Sequence, residues 1–493
     1  MGSDWIDCEL GDLIELKRGY DLPKTKRVNG GVPVVSSSGS SGEHNEIKVK
    51  GPGVVTGRYG TIGEVFYIED DFWPLNTTLY VKDFKGNDPL YVYYFLKTIR
   101  YSDYTDKGAV PGINRNHIHK AKVKVPVDPV HQRNLALKLF NLDKKIELNQ
   151  KNNQTLEKMA QALFKSWFVD FDPVFDNLLA SVDFNLDNLE TSLPDELIQK
   201  AQCRLAALNS LENAAEIKTS LRALAHELQA QLPTKEATHA AVQVSEKAAE
   251  TPVKPNFNAN PNILAKHANT HAHFPNEFVH NEQLGWIPKG WEVLPLESLI
   301  ILIGGGTPKT SIEEYWNGEI PWFSVVDAPQ DSDVFVVDTE KHVTQLGVDK
   351  SSTKILRVGT TIISARGTVG KCAFVGTPMA MNQSCYGING INNISDEFIY
   401  YLTRHQVSDL QKRGHGSVFN TITRETFKSI LLPFSGDKLT EEYGKAVTSL
   451  FDKILMNNRQ NIELTKLRDT LLPKLISGKL QIPDSANVSD NNI

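Results

Sequence analysis

No apolar run approaches the roughly 18 residues that a membrane-spanning helix needs. Cysteine is scarce: Cys8, Cys203, Cys372 and Cys385 lie scattered, with no CxxC pair. That argues against a disulfide framework and against a zinc site. Residues 1–10 carry Asp4, Asp7 and Glu9, and lack the basic start and apolar stretch of a signal peptide. These absences lead us to expect a reduced, cytoplasmic protein that makes no use of a membrane.

Catalytic motifs are missing as well. Residues 365–372 (ARGTVGKC) resemble a phosphate-binding Walker loop, but Ala365 replaces its first glycine and Cys372 replaces the Ser/Thr that would hold magnesium. A glycine turn between strands is the simpler reading. Gly304-Gly305-Gly306 lacks dinucleotide-binding spacing, and Asp172-Pro173-Val174-Phe175 fails the adenine-methyltransferase motif at its second proline. His267, His271 and His273 fall in a Pro/Asn-rich linker, a poor setting for a metal. The chain reads as a binding protein, with no catalytic residue and no metal ligand assigned.

An excess of positive charge is also lacking, since the formal net charge is −6. Residues 176–250 hold 12 acidic and 6 basic side chains, so that one segment accounts for the imbalance. Elsewhere basic stretches stand out. Residues 107–127 contain Lys107, Arg115, Lys120, Lys122 and Lys124 with no acid, which fits either a solvated edge or a phosphate-contacting face.

What is present, over 493 residues of ordinary globular composition, is a duplicated half. Residues 145–163 (KIELNQKNNQTLEKMAQAL) match residues 453–471 (KILMNNRQNIELTKLRDTL) without gaps. Upstream, residues 54–63 (VVTGRYGTIG) match residues 362–370 (IISARGTVG) with one residue inserted, which sets Arg58 opposite Arg366 and Asn76 opposite Asn382. Residues 113–115 and 422–424 share Ile-x-Arg, and LGDLIELKRGYDLPK from Leu10 matches LESLIILIGGGTPKT from Leu296. Short β-branched runs punctuated by Gly and Pro predict a mixed α/β domain in each half, followed by a long helix.

The predicted helices carry matching apolar seams, with Ile146, Leu156 and Leu163 in one and Ile454, Leu464 and Leu471 in the other. Asn149 and Asn153, then Asn457 and Asn461, interrupt the seams at equivalent points. Buried asparagine in a helix seam costs stability and fixes register. Matched helices in one chain are able to pair with each other, although packing inside their own domains is the commoner case. Counted from Leu142 to Phe168, the first would be about 40 Å long, close to one turn of B-DNA.

Residues 304–327 (GGGTPKTSIEEYWNGEIPWFSVVD) are similar to the opening signature of target-recognition domains in the specificity subunits of type I restriction–modification systems. Residues 283–291 (QLGWIPKGW) resemble the entry to those domains, residues 162–174 (ALFKSWFVDFDPV) the end of the family's central helix, and residues 472–480 (LPKLISGKL) its closing helix. The resemblance covers nearly the whole chain outside about residues 176–275. It implies an α/β (α+β) fold with two recognition domains, each reading half of a bipartite asymmetric site in double-stranded DNA. It further implies that the long helices pack as an antiparallel coiled coil and set the gap. Two methyltransferase subunits would dock on this scaffold and methylate adenine, and motor–nuclease subunits would cleave unmodified DNA. S-adenosylmethionine, ATP and magnesium would belong to those partners and no cofactor to this chain. A plain two-domain DNA-binding regulator, a coiled-coil interaction protein and a complete methyltransferase are the alternatives.

The expected layout is domain 1 at 1–130, first long helix at 131–175, acidic helical insert and flexible linker at 176–275, domain 2 at 276–435, second long helix at 436–480, and a disordered tail at 481–493. Residues 186–232 read as helical and residues 251–276 as a tether. Polar and basic residues in glycine-flanked loops are the candidate DNA contacts. In the first half they are Arg18, Tyr20, Lys24, Ser36, Ser37, Ser38, Arg58, Tyr59, Asn76, Asn114 and Arg115. In the second they are Thr307, Lys309, Arg366, Thr368, Asn382, Gln383, Asn420 and Arg424. Two halves that read different bases should differ at the readers and share the phosphate-binding or structural residues.

Overall fold

The structure is a computed structural model that describes residues 5–105, 111–189, 193–230, 270–330, 333–414 and 421–480. The chain divides into two compact units, Met1–Gln150 with Arg459–Ile493, and Lys151–Asn458.

Among the described residues of the first unit, a four-stranded sheet runs in the order Glu15–Arg18, Thr78–Asp83, Gly53–Gly57, Val65–Ile68. Gly53–Gly57 (GVVTG) is buried throughout, as its paired, apolar, central position requires. A second sheet holds Val32–Ser36 between Gly39–His44 and Trp73–Pro74, the last pairing being parallel. A ladder joins Trp5–Glu9 to Lys122–Pro126. Helix Pro89–Lys97 starts at Asp88, whose carboxylate accepts the Tyr91 amide proton at 2.9 Å, and buries Tyr91, Tyr94 and Leu96.

The domain in the second unit repeats this plan. Its main sheet runs Ile300–Gly304, Cys385–Gly390, Thr361–Ser364, Cys372–Val375, with Phe335–Val336 added at the edge. Trp316–Phe323 lies between His342–Val343 and Ala380–Met381, again with a parallel last pair. Glu292–Pro295 pairs with Leu431–Phe434, and Asp396–Gly414 takes the place of the covering helix. Two mixed α/β domains of one topology are therefore present.

Hydrogen bonds correct the expected pairing of the repeats. The Arg58 amide donates to the Thr77 carbonyl at 2.9 Å, and the Arg58 carbonyl accepts from Ile113 at 3.1 Å. In the second domain Ala365 makes both bonds, donating to Ser384 at 2.7 Å and accepting from Ile422 at 3.0 Å. Arg58 thus corresponds to Ala365, and Arg366 corresponds to Tyr59. No residue is inserted. Gly60 and Gly367, at φ 76° and 73°, and Gly63 and Gly370, at 90° and 92°, stay in step. By the same register Asn76 corresponds to Gln383 and Leu75 to Asn382: Leu75 donates to Val35 and Asn382 to Phe323. The glycines and Thr61 and Thr368 keep the backbone's register, and the shared arginine letter alone pulls the upstream strand one residue out of it.

The long helices run Pro129–Phe168 and Asp437–Ile476, each of 40 residues. The first begins well before Leu142, because the Asp128 carboxylate caps the amides of Val130 and His131 at 3.0 and 3.2 Å. Its first turns bury Leu135, Ala136 and Leu139 in the first domain's core. At 1.5 Å per residue each helix is about 60 Å long, so the expected match to a single DNA turn does not stand.

Within the first unit, Asn149 Nδ2 donates to Asn461 Oδ1 at 2.9 Å and to Gln460 Oε1 at 2.8 Å, while Arg468 pairs with Asp143 at 2.8 Å. Ile146 and Leu464 are half-buried there, and Leu471 packs on the first domain's core. Within the second, Asn457 Nδ2 donates to Asn153 Oδ1 at 2.8 Å, Asn153 Nδ2 donates to Asn458 at 2.6 Å, and Tyr443 Oη donates to the Ala160 carbonyl at 3.0 Å. Ile454 is fully buried, with Leu156 and Leu163 half-buried in the same core. In each unit the contacts advance along one helix as they recede along the other, so the segments run antiparallel. The sequence did not reveal Glu157, buried on the first long helix and ion-paired to Arg404 of Asp396–Gly414 at 2.6 Å.

The first long helix stops at Phe168, and Phe171, at φ 58°, turns the chain into helix Asp172–Ser181. That helix joins Asp195–Asn209 and Ala214–Ala230 around Phe175, Leu179, Leu197, Leu208 and Leu221. Arg204 grips Asp176 with two bonds of 2.7 and 2.8 Å, and His271 Nε2 lies 3.0 Å from the same carboxylate. Burial raises the Asp176 carboxyl pKa, but these hydrogen bonds outweigh it and hold the group below its usual range. The insert is thus a small helical module with its own core. Residues 231–269, which include His267 and most of the expected tether, and the tail at 481–493 lie outside the described residues.

Candidate nucleic-acid interface

In the first domain most candidate residues collect on one rim of loops. The Asn76 side chain donates to Asp21, beside Tyr20. Thr77, next along, holds Arg58, and Tyr59 bridges to Gly112. The Thr61 hydroxyl donates to the Ser37 carbonyl, which ties the 36–38 turn to the same rim. Asn114 follows Ile113 and caps the short helix Arg115–Ile118, its Oδ1 accepting from Asn116 at 3.0 Å. At Gly112 a Cβ would come within 2.3 Å of the Tyr59 ring, so a larger residue there would displace that ring.

The second domain builds the same rim. Thr307 donates to Gln383, the counterpart of the Asp21–Asn76 bond. Asn382 Oδ1 accepts from the Ser384 amide at 3.0 Å, and the Thr368 carbonyl accepts from Ser364. Gly305 sits where a Cβ would lie 1.9 Å from the Asn382 carbonyl oxygen, as Gly19 does against Leu75, so the rim closes only around glycine. Arg424 Nη2 donates to the Leu302 carbonyl at 3.3 Å, and the Lys309 carbonyl accepts from the Trp316 indole at 3.2 Å. Asn420 lies outside the described residues.

The candidates separate by their bonding. Ser36, Asn76, Asn114, Thr307 and Asn382 spend side-chain hydrogen bonds on the turns themselves. Tyr20 is anchored, its hydroxyl 3.0 Å from that of Tyr80, whose pKa burial pushes up. Arg58 is half-buried with its guanidinium 4.6 Å from the Tyr59 ring centre, a cation–π contact. Arg18, Lys24, Ser38, Arg115, Lys309, Arg366, Gln383 and Arg424 are exposed. The basic stretch splits: Arg115 stands by the rim, whereas Lys122 pairs with Glu9 at 2.8 Å on the outer ladder, and Lys107 lies outside the described residues. Sequence reasoning passed over Asp21, Thr61 and Val326, the last in the turn that Ser324 opens. Only the strand register exposes them. Among the described residues no group of three or more His, Cys, Asp or Glu is placed to hold a metal, and no helix is long and apolar enough to cross a membrane.

A doubled α/β domain, each copy carrying a glycine-tightened rim of polar loops and followed by a long helix, defines a two-part recognition protein. The type I restriction modification DNA specificity domain matches residues 2–158 and 288–466, one span for each copy, and the chain belongs to that family of specificity subunits, whose role is recognition and not catalysis. The type I restriction enzyme HindI specificity subunit of Haemophilus influenzae is 26% identical over 513 aligned residues, covering 97% of this chain and 100% of that one. The MjaIX specificity subunit of Methanocaldococcus jannaschii is 28% identical over 183 residues, 37% of this chain and 42% of its own. A crystal structure of the type I restriction–modification S subunit from M. genitalium shares the fold, with a TM-score of 0.54 at 15% identity over 98% of each chain.

Proposed function

We propose that each domain reads one half of a bipartite, asymmetric site in double-stranded DNA through its loop rim. One observation carries this: the two rims keep the same backbone register while presenting different side chains, Tyr59 against Arg366 and Asn76 against Gln383. Shared backbone with divergent side chains is what two readers of different sequences need. The paired long helices set the gap between half-sites and dock two methyltransferase subunits that methylate an adenine in each half. Motor–nuclease subunits join to cleave unmodified DNA. S-adenosylmethionine, ATP and magnesium act in those partners. The helical module at 172–230 is a further surface offered to a methyltransferase subunit.

Sequencing the methylated bases of a strain carrying this chain with its modification partner tests the reading. The expected result is a two-part motif of unlike halves, in which exchanging residues 1–130 for those of a relative changes one half alone. A single uninterrupted motif, or a change in both halves, would overturn it. Removing about one heptad, roughly 10 Å of rise, from both 146–163 and 454–471 should shorten the preferred gap. A fixed gap would remove the spacing role.

A further inference from the structure

The turn after strand Trp316–Phe323 offers an apolar side chain on a rim that is otherwise polar. Val326 is 77% exposed, more than any other large apolar side chain among the described residues. Single exposed apolar residues are ordinary on protein surfaces, but this one is held in place. Val325–Asp327 forms a 3-10 turn locked by a reciprocal box: Asp327 Oδ2 accepts the Ser324 amide at 2.8 Å and the Ser324 hydroxyl at 2.9 Å. Asp327 Oδ1 accepts the Glu340 amide at 2.8 Å. The carboxylate and hydroxyl flanking the turn are therefore engaged internally. Val325 packs inward on the cluster that contains Phe323 and Met381. Val326 is what the turn has left to present.

Its position ties it to the candidate interface. The Phe323 carbonyl accepts from Asn382 at 2.9 Å, so the turn borders the Thr307–Gln383 contact. The parallel bridges Val35↔Pro74 and Phe323↔Met381 align the two domains at this point. Counting three residues on from each bridge reaches Ser38 in the first domain and Val326 in the second. Ser38 is exposed and its hydroxyl lies 3.1 Å from that of Ser36. Beyond the bridge the two rims part: the first turns back at once through Ser37 and Ser38 into Gly39–His44, whereas the second enters the Val325–Asp327 turn, so the second rim offers an isopropyl group on a turn that the first does not build.

We propose that Val326 is a specificity-determining residue that contacts the C5-methyl group of a thymine in the major groove of the half-site read by the second domain. An apolar side chain discriminates bases there by packing on that methyl group, which cytosine lacks. The inference rests on the reading of the chain as a DNA-site reader given above.

Deoxyuridine scanning tests it. The full chain, with its modification partner, binds duplexes carrying its methylation motif, in which each thymine is replaced in turn by deoxyuridine, the same base without the methyl group. One replacement should weaken binding of the wild type about fourfold, the contribution of one buried methyl group. Val326→Ser should bind the unmodified duplex about fourfold less tightly and lose sensitivity to that same replacement, leaving the others unchanged. If no deoxyuridine replacement affects the wild type, or if the sensitive one stays equally sensitive in Val326→Ser, the inference is overturned while the proposed function stands. A wild type with no sequence preference overturns both.

Discussion

Arg58 and Ala365 occupy the same backbone position in their two domains, each donating to the turn before the central strand's partner and accepting from an isoleucine amide. Arg366 instead matches Tyr59, so the two arginines reach their rims from adjacent positions.

Their substitutions should therefore differ. Arg366 is exposed, and Arg366→Ala should lower the slope of log binding constant against log salt by about 0.9, the loss of one phosphate contact. Arg58→Ala also removes the cation on which Tyr59 stacks. Its affinity loss should persist at high salt, where phosphate contacts are screened. Salt titrations of both variants on one duplex check this. An unchanged slope for Arg366→Ala counts against phosphate contact.

Glu157 and Arg404 form a largely buried pair, with side-chain exposures of 5% and 22%. Arg404→Ala leaves the carboxylate without its partner, at a cost of about 3 kcal/mol. The double variant Glu157→Leu/Arg404→Met should recover most of that loss. Denaturant unfolding of both variants decides it; equal destabilisation would mean that packing, not charge, dominates.

The first domain should lose stability on acidification. His119 Nε2 accepts the Leu16 amide proton at 3.0 Å, a bond only the neutral ring makes. Burial, aided by Arg115 and Lys85, holds the imidazole below its ordinary pKa. A depressed folded pKa means stability fully present above the unfolded value, near 6.5, and lost as pH falls through the folded one. Thermal melts from pH 7.5 to 5 should show a shallower acid-side decline for His119→Gln, which keeps an acceptor but cannot titrate.

Arg204→Ala should loosen the inserted helices while sparing the two α/β domains. Asp176 would keep a buried charge without its bidentate partner, a penalty of about 3 kcal/mol. Limited proteolysis should then cut within 195–230 much faster, and protection unchanged from wild type would show that the apolar core alone holds the module.

The repeat was legible because glycines and β-branched runs mark turns and strands, and the Asn-interrupted helices align without gaps. Its register was not, because Arg58 and Arg366 share a letter while Gly57 and Ser364 share a backbone place. The seam asparagines announced themselves by their spacing. Glu157 did not, since its partner lies 247 residues away and nothing local marks it as buried. Among the rim candidates, residue type pointed to loops that the structure brings together, but could not separate side chains spent on turns, such as Asn114, from those presented outward, such as Arg366.

The first domain's core includes Leu475 and Ile476, each 2% exposed, from the last turn of the second long helix. Ribosomes release the rest of that core about 300 residues earlier, on the order of 15–60 s at ordinary elongation rates. During that interval the first core lacks the two side chains that complete it, although the second unit, which ends at Asn458, is already synthesised. A chain interrupted before residue 471 should therefore carry a sound second domain joined to a first that aggregates.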